Sequence, residues 1–145
     1  MIYTPAFWAM AMANLCHTAS FSALFLLPLY ILDHGGHQGD IGVVMGVFAL
    51  ASAVSRPWVA EMIDRIGRKR SYTLGSILMV VSPFLYIFIQ DPLGLTYPVF
   101  LLLRAVHGVG LAICFTAVFT FMADILPQDR LTEGIGMFGI SGLIG

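Results

Sequence analysis

Arg104 and His107 stand three residues apart in an apolar run that extends from about residue 97 to 123. If the run is a helix, that spacing puts both side chains on one face. A guanidinium in hydrocarbon costs at least about 2.5–3.5 kcal/mol unless it snorkels or faces a polar cavity. An imidazole, with an ordinary pKa of about 6.5, suits proton relay. The pair therefore marks a candidate site for proton coupling or for contact with an anionic solute. Two plainer readings stand beside it: Arg104 snorkelling to the outer interface, and His107 as a hydrogen-bonded packing residue.

A second group is Asp64, Arg65, Gly67, Arg68 and Arg70 in the segment AEMIDRIGRKR, residues 60–70, between two long apolar runs. Gly67 supplies the backbone angles of a tight turn, and Arg68 and Arg70 are long enough to reach carboxylates on neighbouring helices. Asp64, Arg68 and Asp124 are the charges expected to form a gating cluster; the alternative is that they stay solvated and only fix topology. A third group is Asn14, His17 and Thr18, at i, i+3 and i+4, followed by Ser20 and Ser22. One face of that helix would either line a central cavity near the bilayer midplane or hydrogen-bond to another helix. His34 and His37 in HGGH lack further ligands for a metal, so no metal site is expected. No G-x-S-x-G, H-E-x-x-H, C-x-x-C or phosphate-binding Gly-Lys loop is present, which leaves an enzyme, an ATP-driven pump or any bound cofactor without a basis.

The elements that would position these residues follow from composition. At 59% hydrophobic and 10% charged, with mean hydropathy +0.90, the chain is far more apolar than a soluble domain, whose charged fraction is about 25%. A lipid bilayer is the solvent it fits. The net charge of -1 and the lack of a basic tail give no footprint for nucleic acid. Cys16 and Cys114 each sit inside an apolar run and read as packing residues. Four stretches, at about 6–32, 41–60, 71–90 and 97–123, are long enough to cross, each needing about 20 apolar residues. The first has no basic start and runs well past a signal-peptide core, so it reads as a retained helix. Pro28 and Pro83 would bend the first and third helices.

Short connections, DHGGHQGD, EMIDRIGRKR, DPLGLT and DILPQDRLTE, make successive helices antiparallel neighbours. Five of the seven Lys and Arg residues fall between Arg56 and Arg70, while the gaps at 33–40 and 91–96 hold acids and no Lys or Arg. By the positive-inside rule the basic segment is a cytoplasmic loop, and the N-terminus is cytoplasmic too. Trp8 and Trp58 then fall near the inner interface and Tyr30, Tyr86 and Tyr97 near the outer one. A fifth helix starts near Glu133, and its glycines at 134, 136, 139, 142 and 145 would allow close helix approach. Too short as given to cross, it predicts that the chain is the N-terminal part of a larger membrane protein; a genuine short protein is the rival.

The basic segment resembles the signature of the major facilitator superfamily between helices two and three, G-x-x-x-[DE]-[RK]-x-G-[RK]-x-[RK]-[RK]. Asp64, Arg65, Gly67, Arg68 and Arg70 match, whereas Ala60 replaces the first Gly and Ser71 the last basic residue. RAVHGVGLA is similar to the Arg-x-x-x-Gly-x-Gly pattern of helix four in proton-coupled members, carried by Arg104, Gly108 and Gly110. DILPQDR, with Asp124, Pro127 and Arg130, resembles the D-x-x-P-x-x-R turn between helices four and five. The resemblance covers essentially the whole chain. It implies an all-α polytopic membrane bundle, the first four and a half of twelve helices of a major facilitator fold, with half of the cavity supplied by a missing C-terminal half. It further implies secondary active transport of a small solute by alternating access, as proton-coupled efflux, in a bacterial inner membrane. The alternative is a non-transporting membrane interaction protein or a transporter remnant that packs through its glycine-rich tail.

Overall fold

A computed structural model of the chain describes residues 3–89 and 93–144, with the backbone alone described at Ala23. Gln90, Asp91 and Pro92, at the end of the third apolar run and in the DPLGLT connection, and Gly145 lie outside the described residues. The helices are α1 (Pro5–Ser22), α2 (Leu27–Asp33), α3 (Gln38–Ile66), α4 (Arg68–Tyr86), α5 (Tyr97–Ile125) and α6 (Leu131–Ile144). Short 3-10 turns occupy Ala23–Leu26, between α1 and α2, and Gln128–Arg130, before α6. No strand occurs among the described residues, and the chain is all-α.

Among the described residues, three helical stretches are long and apolar enough to cross a membrane: Pro5–Asp33, Gln38–Ile66 and Tyr97–Ile125, each 29 residues. At 1.5 Å per residue each is about 43 Å long, more than the roughly 30 Å of a hydrocarbon core. The first contains the 3-10 turn because Pro28 has no N–H for the Leu24 carbonyl; the Leu27 N–H takes that carbonyl instead. α4 is shorter, 19 residues, and opens on Arg68, Lys69 and Arg70. Its apolar character is diluted by that basic first turn.

The basic segment departs from the expected loop. Residues 60–70 are helical except for Gly67, which alone separates α3 from α4. A pair one turn apart supports the end of α3 despite its charge: Arg65 Nη2 lies 2.6 Å from Glu61 Oε1, while Arg68 Nη1 lies 3.9 Å from Asp64 Oδ1 across the Gly67 break. The Gly67 N–H closes α3 on the Ile63 carbonyl at 2.9 Å. The Gly67 carbonyl then accepts from the Ser71 N–H and hydroxyl, opening α4. Gly67 has φ +88° and ψ 156°, a region that side chains essentially exclude. A Cβ there would touch nothing within 4 Å, so the cost of Gly67→Ala is purely conformational. It is expected to destabilise the protein by about 1–3 kcal/mol, read as a lower midpoint of thermal unfolding in detergent. An unchanged melting curve would show that the turn relaxes freely.

The HGGH segment is also accounted for locally. The Gly36 N–H reaches the Ile31 carbonyl and the Gly35 N–H the Leu32 carbonyl, ending α2. His37 caps α3, its N–H donating to Asp40 Oδ2 at 2.8 Å, and His34 Nδ1 lies 2.9 Å from the Tyr30 carbonyl.

The chain divides into two compact units, one from Pro28 to Ala117 and one of the residues up to Leu27 together with those from Val118 onward. In the larger unit α3, α4 and the first part of α5 enclose a core of Val59, Ile63, Ala112, Ile113 and Ala117, with Met62, Tyr72, Leu78 and Val109 against it. Gly75 of α4 sits on Cys114, and Gly110 of α5 on Leu78 and Gly75. These small residues let α4 and α5 approach closely, the geometry that membrane helices use where no hydrophobic force drives them together. In the smaller unit α6 lies along α1, with Phe138 fully buried against Phe119 and Gly134 on Leu126. Of the other α6 glycines, Gly142 abuts the Asn14 side chain, whereas Gly136 and Gly139 face open space.

Candidate functional site

The sharpest constellation lies in the larger unit, where α3, α4 and α5 meet around Arg104. Arg104 is only 1% exposed, so it does not reach an open surface as snorkelling would require. Its Nε donates to the Val44 carbonyl at 3.4 Å and its Nη2 lies 3.4 Å from the Met45 sulfur. Its Cζ sits 4.5 Å from the centre of the Phe48 ring. Nη1 is buried and has no hydrogen-bond partner among the described residues. No carboxylate pairs with the guanidinium there either. A cation–π contact contributes about 2 kcal/mol when desolvated, which offsets a large part of the roughly 2.5–3.5 kcal/mol for placing the charge in hydrocarbon.

His107, one turn on and fully buried, shares a hydrogen bond with the Tyr86 hydroxyl at 3.1 Å through Nδ1. It also meets the Phe48 ring edge-on, at 5.3 Å between centroids and 79° between planes. Phe48 thus touches both Arg104 and His107. Gly108 makes this possible: a Cβ there would lie 2.3 Å from the Phe48 carbonyl oxygen, so only glycine lets α3 come this close. Gly108 and Gly110 are packing positions, on α3 and α4 respectively.

Tyr86, expected in the outer aromatic belt, ends α4 turned toward His107 and Phe100, its ring 5.3 Å from Phe100. Phe48, Val44 and Met45 carry no sequence signal of a site, since apolar residues are the ordinary content of a membrane helix. Only the i, i+4 spacing of Val44 and Phe48 hints that they share a face.

The remaining candidates fall elsewhere. The exposed Asp64 pairs with the half-buried Arg68 across Gly67, Arg65 is held by Glu61, and Arg70 is exposed at the start of α4. Ser71, which stands where the family pattern has a basic residue, is fully buried under the turn. Asp124 is exposed near the end of α5. Arg130 makes a two-pronged contact with Glu133, at 2.9 and 2.6 Å. Donating these hydrogen bonds to the Glu133 carboxylate pushes the Arg130 guanidinium pKa further up. Asn14 donates to the Ser141 hydroxyl of α6 at 2.9 Å, which in turn donates to the Phe138 carbonyl at 2.6 Å. That is the inter-helix role left open above for the polar face of α1. Thr18 and Ser22 donate back to their own helix, and His17 is half-buried on α1.

Residues 9–145 match the family model described as Major Facilitator Superfamily. The chain is 28% identical over 111 residues to the quinolone resistance protein NorA of Staphylococcus aureus, covering 77% of this chain and 27% of that protein. It is 29% identical over 120 residues to an uncharacterized MFS-type transporter of Methanocaldococcus jannaschii, covering 83% of this chain and 30% of that protein. The chain thus spans less than a third of the length of these relatives. No solved structure matches it.

Proposed function

Because this chain belongs to the major facilitator superfamily, and is therefore an integral membrane protein, we propose that its helices form part of a secondary transporter that exports a small solute by alternating access in exchange for protons. The observation that carries this reading is Arg104, a guanidinium kept 1% exposed in an apolar helix, one of its nitrogens without a partner among the described residues. A charge held there at a cost marks an ion or substrate pathway. Arg104 and His107 are the coupling residues. His17, on the polar face of α1, lies toward the solute path, and Asn14 anchors that face to α6. Export rather than import is supported by the name of one relative, a quinolone resistance protein.

On this reading the end of α3, the start of α4 and the N-terminus face the cytoplasm of a bacterial cell, at its inner membrane. Asp64, Arg65, Gly67, Arg68, Arg70, Asp124 and Arg130 serve the cytoplasmic gate, working against helices of a second half that the longer relatives have room for. Asp64→Asn separates gating from mere topology. With Asp64 exposed and the pair long at 3.9 Å, Asp64–Arg68 is worth about 0.2–1 kcal/mol, so the melting temperature should hardly move while transport falls by about tenfold or more. Normal transport with normal insertion would remove the gate role.

The test of the whole reading is solute flux in proteoliposomes carrying the complete protein, with and without a pH gradient. Gradient-driven flux is expected. Its absence for a broad solute panel, in folded protein, would favour a membrane interaction protein instead.

A further inference from the structure

We infer that Phe48 is a positioning residue for the coupling pair: its ring holds the Arg104 guanidinium and the His107 imidazole in fixed relation, so that movement of α3 along α5 is felt at both. The claim that this matters for transport rests on the function proposed above; the placement itself does not.

Three contacts meet at this one residue. The Arg104 guanidinium carbon lies 4.5 Å over the ring centre. The His107 ring meets the ring edge at 5.3 Å. The Phe48 carbonyl rests where a side chain at Gly108 would have to be. Arg104 and His107 are both on α5 and three residues apart, so they cannot change their axial separation while the helix holds. Phe48 is on α3, and so is the Val44 carbonyl that takes the Arg104 Nε. Sliding α3 by a fraction of a turn would take the ring off the guanidinium and the carbonyl off Nε together.

From α4, among the described residues, Tyr86 faces the pair, its hydroxyl on His107 and beside Arg104. From α3, among the described residues, the contacts are the Phe48 ring, the Val44 carbonyl and the Met45 sulfur, none of them ionisable. No carboxylate pairs with Arg104 among the described residues, and the negative face of the Phe48 ring is one side-chain group that favours its charge, beside the Tyr86 hydroxyl. An aliphatic residue of similar volume would fill the space and lose that function.

The test combines a spectroscopic signature with an isosteric series. In arginine-labelled complete protein, the Arg104 Nε–H resonance, assigned with Arg104→Lys, should be displaced upfield by the Phe48 ring current and return toward its ordinary position in Phe48→Leu. Para-fluoro-, difluoro- and trifluorophenylalanine at position 48 keep the shape and progressively weaken the ring face. Gradient-driven transport should fall stepwise, by about tenfold at trifluorophenylalanine, while the unfolding midpoint stays within a degree or two of wild type. An Arg104 signal with no ring-current shift in the wild-type protein overturns the placement, whatever the protein transports. A shifted signal with flux unaffected across the fluorinated series, and in a folded Phe48→Leu, overturns the coupling role. A shifted signal in a folded protein that shows no gradient-driven flux upholds the placement and overturns the transport role of both Phe48 and the function proposed above.

Discussion

Gly108→Ala is expected to melt several degrees below the wild-type protein and to lose most transport, although it adds a single methyl group. The added Cβ would lie 2.3 Å from the Phe48 carbonyl oxygen and 3.1 Å from its carbonyl carbon, and Cβ atoms essentially never come within 3.0 Å of another heavy atom. The obstacle is backbone of a long helix, so no side-chain rotation relieves it; α3 and α5 must separate. Overpacking of this kind costs about 1–3 kcal/mol. The separation would also lift the Phe48 ring from Arg104 and His107, which is why the functional loss should exceed the stability loss. Gly46→Ala is the internal control, on α3 where a Cβ would meet nothing within 4 Å. It should be neutral or stabilising by up to about 1 kcal/mol, the helix propensity difference. Equal melting curves for the two alanine variants would mean that the close crossing is not formed.

The residues that the sequence made visible are those that break the rule of their surroundings. Arg104 and His107 stand out because charge and imidazole are rare in apolar runs, and the structure finds both buried in one cluster. Gly67 stands out because it interrupts a charged segment otherwise suited to helix, and it proves to be the single turning residue. Phe48 and Tyr86 were not legible as site residues, since an aromatic is unremarkable in a lipid-facing helix and only the fold says which ring turns inward. Charge misled at 60–70, where it suggested a water-exposed loop. The i, i+4 pair Glu61–Arg65 satisfies its charges along α3 and Asp64–Arg68 bridges the one-residue break at Gly67, so the segment needs no longer loop. The partner of Asn14 lay beyond reach for a different reason: Ser141 is 127 residues away, and no local pattern encodes a pairing at that range.

Arg104 should show the opposite division between stability and function from an ordinary core residue. Arg104→Met keeps most of the length and apolar volume and removes a buried charge that no carboxylate balances among the described residues. Replacing buried charge by well-packed apolar side chains is often neutral or stabilising by about 1–4 kcal/mol. The loss of the Phe48 ring contact and the Val44 hydrogen bond works against this gain. The net expectation is a melting temperature equal to or above wild type. Transport driven by a pH gradient should nevertheless fall by at least about tenfold, because the methionine side chain carries no charge to take the place of the guanidinium over the Phe48 ring. Arg104→Lys tests what the charge alone can do. A lysine is a compact point charge without the planar fork, so it cannot lie over the Phe48 ring while also donating to the Val44 carbonyl. It should recover part of the transport at most. Full recovery with lysine would mean that charge suffices and the ring geometry is incidental. A methionine variant that transports normally with normal pH dependence would remove Arg104 from the coupling mechanism. One that melts far below wild type would instead assign the guanidinium to holding the helices together.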